Sequence, residues 1–229
     1  MAKIISYKNP ELATIKDNKA LWNLPKTRRF GYRNLHKINR YGLFLRSDLI
    51  LKLKKNYKKE IGVKPLVKRL TKNKSFCSLI VGNGQNILFE KYAKDFSYNQ
   101  PQTIMSITKM FANLFVGELL KNKKINLNKN VSYYLPKIGS GYANAKVQDI
   151  LNMNVVNAYT EDYTKAYSSS FMHEPVGGWR LPKSGQIKLS QEQYLNTIKN
   201  IKNRGLKNNS DYALYKSANT DVIGLIIEK

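Results

Sequence analysis

Ile104-Met105-Ser106-Ile107-Thr108-Lys109-Met110-Phe111-Ala112-Asn113-Leu114-Phe115-Val116 is the stretch around which the rest of the chain falls into order. Its apolar residues recur at helical spacing, so it predicts a helix that opens at Ser106 and runs to about Lys121. Inside it, Ser106 and Lys109 form the one S-x-x-K of the chain. Residues i and i+3 share a helix face, which puts a hydroxyl beside an amine. An amine among apolar residues tends to lose its proton, because burial disfavours the charged form. A neutral Lys beside a Ser can take the hydroxyl proton and leave a nucleophile. In a chain this rich in Lys the same four-residue pattern also arises by chance as a surface pair, so the motif gains meaning only from what surrounds it.

Upstream lies the clearest strand signal. Phe76–Val81 and Asn86–Tyr92 flank Gly82-Asn83-Gly84-Gln85, and Asn-Gly between two apolar runs predicts a hairpin, since both residues tolerate positive φ. Residues 45–72 show helical spacing through Leu49, Ile50, Leu53, Tyr57, Leu66, Val67 and Leu70, with Lys-rich backs toward water. Residues 21–44 read as an irregular segment, and residues 1–20 as a polar, loose arm. Downstream, Val131–Pro136 reads as a turn and short helix, and Val147–Met153 and Gln191–Asn200 as helices. Residues 154–189 form an aromatic loop carrying Tyr159, Tyr163, Tyr167, Phe171 and Trp179; loops of this length in compact domains are usually functional or disordered. Tyr212–Lys229 ends in an apolar helix.

The chain of 229 residues carries a formal charge of +25. Residues 1–74 hold 21 Lys and Arg against 4 Asp and Glu, and residues 75–229 hold 19 against 11. This suggests a basic N-terminal region, 1–74, ahead of a second part, 75–229. Such a region fits an anionic partner. Nucleic acid is nevertheless disfavoured, because Lys far outnumbers Arg and no reading motif is present. No apolar run is long enough for a transmembrane helix, and the N-terminus lacks the stretch of a secretory signal, so a cytoplasmic location is expected. The single Cys77 excludes an internal disulfide and cysteine-cluster metal sites; it reads as a buried structural thiol. His36 and His173 suit surface or packing roles, no G-x-S-x-G elbow is present, and nothing calls for a metal or cofactor.

The order of these pieces carries a resemblance. A hairpin, then Met105-Ser106-Ile107-Thr108-Lys109, then Leu135-Pro136, Val147–Met153, Gly178-Trp179-Arg180-Leu181-Pro182, and Tyr215-Lys216-Ser217 before Asp221–Glu228 together resemble the serine β-lactamase-related hydrolases, with class C β-lactamase-like folds. Within them the pattern is most similar to the 6-aminohexanoate-dimer (nylon oligomer) hydrolase branch. The resemblance implies an α+β fold: an antiparallel sheet flanked by helices, with a helical domain. It implies Ser106 as nucleophile, Lys109 as its general base, Tyr215 as second acid/base group and Ser217 as a hydrogen-bond partner of Lys109 at the substrate site. Tyr163 and Trp179 would line the pocket, where the acids Glu161 and Asp162 stand ready for a substrate amine. The Ser106 N–H would be half of an oxyanion hole. The substrate would be a small amide or ester, hydrolysed through an acyl-enzyme.

The family's third element, a Lys-Thr-Gly or His-x-Gly strand, would lie beyond Lys229. The expectation is therefore of a C-terminally truncated fold, completed by a missing half or a second chain. The competing expectation is an inactive relative that binds a partner through its basic region.

Overall fold

A computed structural model describes residues 3–8, 22–37, 41–165, 167–182, 184, 185, 187 and 189–229. The chain divides into two units, Met1–Thr103 and Ile104–Lys229. The division falls just before the S-x-x-K stretch, and the change in charge density at residue 74 lies inside the first unit.

In the first unit, β1 (Lys3–Lys8) pairs antiparallel with β2 (Tyr41–Arg46). The expected loose arm therefore contains a strand at its start, and the rest of residues 1–20 lies outside the described residues. The segment read as irregular holds α1 (Arg28–Arg33), a 3-10 turn at Leu35–Lys37, and β2. Gly31 lets α1 sit directly on the backbone of Trp22, where a Cβ would stand 1.9 Å from the Trp22 carbonyl oxygen. That packing turns Arg29 and Arg33 onto Asp95, with contacts of 2.6 and 2.9 Å. Their hydrogen bonds hold the Asp95 carboxyl well below its ordinary range.

A three-stranded sheet follows in the order β3 (Lys54–Lys55), β5 (Asn86–Tyr92), β4 (Ser78–Asn83). The hairpin forms as expected, with its turn one residue later: Asn83 closes β4 against Asn86, and Gly84 takes the left-handed conformation at φ 55°. The helical spacing expected over 45–72 is realised only in its second half. Only α2 (Lys59–Val63) and α3 (Pro65–Lys72) are helical. The backbone N–H groups of Lys54 and Asn56 bond instead to Gln85 and Ile87. A donor satisfied by a sheet edge has no need of a helix. Cys77 is half-buried rather than buried, and its sulfur lies 3.7 Å from an Arg29 nitrogen.

The second unit holds the apolar core. A 3-10 turn (Met105–Lys109) leads into α4 (Met110–Lys121). Then come α5 (Val131–Tyr134), α6 (Val147–Leu151), α7 (Ser169–His173), α8 (Gln191–Asn196) and α9 (Ser217–Glu228). Ser190 and Gln193 form a reciprocal capping box that starts α8, which satisfies two otherwise orphaned donors. In α9, Ala218, Asn219, Val222, Ile223 and Ile226 are buried, one stripe at helical spacing. This stripe packs on α4, α6 and α8. With Val116, Tyr142, Val147, Ile150 and Leu195 it forms a single cluster. Buried Asn219 is satisfied: its Oδ1 accepts from the Tyr142 hydroxyl at 2.9 Å, and its Nδ2 donates to the Ile150 carbonyl at 3.4 Å. The architecture is mixed α and β, as expected.

Candidate active site

The S-x-x-K pair does not lie on α4 but on the 3-10 turn that precedes it. In a 3-10 helix the side chains at i and i+3 eclipse, so Ser106 and Lys109 are stacked more directly than an α-helix would allow. The Lys109 ammonium donates to Ser106 Oγ at 2.9 Å. Met105, one residue before the serine, has φ 47°. Non-glycine residues rarely adopt this left-handed conformation, and such strain clusters at functional sites.

The expected apolar surroundings of Lys109 are only partly present. Lys109 is half-buried, while Ser106, Ile104, Ile107 and Met110 are exposed. The apolar side chains of this turn point outward, so desolvation is weaker than the sequence implied. A different group supplies the electrostatics. The Lys109 nitrogen lies 5.6 Å from the centre of the Tyr215 ring. Burial pushes the Tyr215 phenol up, but hydrogen bonding toward Ser106 and Lys109, the Lys109 charge and Ser217 outweigh it. The net effect holds the phenol below the ordinary tyrosine value. Ser106, Lys109 and Tyr215 line one cavity of about 210 Å³, floored by Ile150, Met153 and Ile223.

Ser217 stands beside this trio, but its hydroxyl donates to Glu161 Oε1 at 2.8 Å and its N–H to Oε2 at 3.0 Å. Glu161 Oε1 also accepts from the Tyr163 hydroxyl at 2.7 Å. Both carboxylate oxygens are thus engaged within the protein, and Ser217 is directed to Glu161 rather than to Lys109. Asp162 is likewise occupied, by Thr164 and by Lys165 at 3.2 Å. Tyr163 packs edge-on against Phe171, with ring centres 5.7 Å apart. Neither Tyr163 nor Trp179 lines the Ser106 cavity. Trp179 closes a turn through its N–H to the Glu174 carbonyl at 2.9 Å, and its ring lies over Gly177.

Sequence reasoning passed over two buried polar groups here. His173 is buried, bridging the Tyr159 hydroxyl at 3.2 Å and Asp221 of α9 at 3.1 Å, and its ring stacks on Tyr194. Its packing role is as expected, but its polar partners were not foreseen. Lys216 is also buried, and its ammonium donates to the Tyr159 carbonyl. Among the described residues no cluster of three or more His, Cys, Asp or Glu is disposed to hold a metal, and no helix is long and apolar enough to cross a membrane.

This arrangement sits in a known fold. The chain superposes on "Putative 6-aminohexanoate-dimer hydrolase from Bacillus anthracis" with a TM-score of 0.72 at 15% identity, covering 94% of this chain and 59% of that one. The chain therefore shares the fold of that neighbour, and its helices and small three-stranded sheet are consistent with the α+β class. In sequence, the chain is 30% identical over 153 residues to the 6-aminohexanoate-dimer hydrolase of Paenarthrobacter ureafaciens, across 66% of this chain. It spans 37% of the length of that curated relative. No family model matches the chain.

Proposed function

We propose that this chain carries the nucleophilic centre of a serine hydrolase acting on small amides or esters. The observation that carries the reading is the 2.9 Å contact of Lys109 with Ser106 on a 3-10 turn, at a cavity that Tyr215 also lines. Ser106 Oγ attacks the substrate carbonyl as its proton passes to the Lys109–Tyr215 pair. The Ser106 N–H, at the start of the turn, faces the developing oxyanion. The pair returns the proton to the leaving amine or alcohol. Ser106 is left acylated, and water then releases the acid with the same pair acting as base. The sequence likeness to a 6-aminohexanoate-dimer hydrolase supports hydrolysis, and favours a linear amide as the first substrate to try.

The test is intact mass after exposure to a fluorophosphonate, beside a Ser106→Ala control. A single adduct that is absent from the control is the expected result. A folded chain that gains no adduct would overturn the reading.

A further inference from the structure

The acid/base role of Tyr215 requires that its phenol be aimed at Ser106 and Lys109, and the chain around it holds an unusual anchor. Lys216 is 8% exposed. Lysine is almost never buried without a partner, because the ammonium loses its hydration. Its backbone is extended, at φ −145° and ψ 123°. In extended chain, successive side chains point to opposite faces. Turning Lys216 inward therefore turns Tyr215 the other way, toward Ser106 and Lys109.

The inward position has anchors before, at and after Lys216. Leu214 N–H donates to the Met153 carbonyl at 2.7 Å. The Lys216 ammonium donates to the Tyr159 carbonyl at 2.5 Å, and Ser217 is held twice by Glu161. Tyr159 is itself fixed, 2% exposed and tied through His173 to Asp221. Burial lowers the affinity of Lys216 for its proton, and the nearby Glu161 charge opposes this.

We propose that Lys216 is a positioning residue: its buried ammonium, seated on the Tyr159 carbonyl, sets the direction in which Tyr215 faces Ser106 and Lys109. The proposal rests on the reading of Tyr215 as the acid/base group. A methionine of similar length would fill the same space without the anchor, and would leave the Tyr159 carbonyl without this donor.

The test uses the full chain with Lys216→Met and Lys216→Arg, and reads two quantities. The first is the rate of fluorophosphonate labelling of Ser106 against pH. The second is the midpoint of Tyr215 ionisation, from ultraviolet titration of tyrosinate with Tyr215→Phe as the subtraction. The other charged or titrating groups around Tyr215, Lys109, Glu161 and Tyr163, are left unchanged. Lys216→Met should label about tenfold or more slowly, the loss expected of a misplaced group. Its Tyr215 midpoint should move upward, away from the influence of Lys109. Lys216→Arg, which keeps a cation and a donor, should recover part of both. A folded Lys216→Met with the wild-type rate and midpoint overturns the proposal. If wild type fails to label, the hydrolase reading falls, while the tyrosinate midpoints still decide whether Lys216 places Tyr215. Should Lys216→Met not fold, Lys216→Leu also removes the donor to the Tyr159 carbonyl, in a smaller apolar side chain, and its midpoint decides in the same way: moved supports, unmoved overturns.

Discussion

Met105, at φ 47°, hands the chain from an irregular approach into a tight turn, and the turn stacks Lys109 on Ser106. The third partner arrives from the far end of the chain, and the Lys109 charge helps hold its phenol below the ordinary tyrosine value despite burial. The sign of the pH dependence follows. If the ionised Tyr215 is the competent form, Ser106 labelling rises with pH and levels off once the phenol is deprotonated, below the ordinary value of about 10. Lys109→Met removes the cation that favours the phenolate, so the midpoint should move upward. Tyr215→Phe should remove that limb altogether and slow labelling by about 100- to 10,000-fold, the usual worth of a general acid–base group. A pH profile unchanged in both variants would exclude Tyr215 from the chemistry. Ser106 and Lys109 could be paired from their spacing alone, whereas Tyr215, which lines the same cavity, was singled out only by the family resemblance. The supports of Tyr215 were not legible. Glu161 and Ser217 are 56 residues apart, and Lys216 lies 57 residues from the Tyr159 carbonyl it meets. No local spacing encodes such pairs.

At the scale of elements, α9 joins the site to the core. Its first turn follows Tyr215, and its buried stripe lies on α4, α6 and α8. Asn219 is the polar member of that stripe, completely buried and bonded to Tyr142 and to the Ile150 carbonyl. Asn219→Ala would strip the Tyr142 hydroxyl of this acceptor, while the Ile150 carbonyl keeps the Met153 N–H at 3.1 Å. A buried polar group left unsatisfied costs about 1–3 kcal/mol, and urea denaturation should show a loss in that range. A loss under about 0.5 kcal/mol, the scale of an ordinary surface change, would mean that the network is not holding α9. The helices α4, α6 and α9 were visible as periodic apolar runs, while α8, expected over Gln191–Asn200, ends at Asn196 and is started by the Ser190 and Gln193 capping box. The stretch 45–58 misled because helical spacing of Leu49, Ile50, Leu53 and Tyr57 competes with a backbone that β5 recruits into a sheet. Periodicity reports side-chain faces and says nothing about where an N–H finds its acceptor.

At the scale of the whole molecule, a charge of +25 dominates the long-range field, and most of it lies in the first 74 residues. Part of that charge is committed internally: Arg29 and Arg33 hold Asp95, and Lys55 meets Glu90 at 2.7 Å. The Lys109–Ser106 contact lies within the second unit, at 2.9 Å. Salt screens charges about 10 Å apart at 0.1 M, but acts far less on partners in contact. The two properties should therefore separate under ionic strength. Any retention of the chain on DNA should fall steeply, by orders of magnitude between about 50 and 200 mM salt, because each phosphate contact releases counterions. Labelling of Ser106 by an uncharged fluorophosphonate over the same range should change less than about twofold, since a contact pair is screened weakly. Parallel loss of both would tie the basic region to the chemistry of Ser106. Salt-insensitive labelling beside salt-sensitive retention would assign the charge to solubility and incidental attraction, and leave the function with the serine.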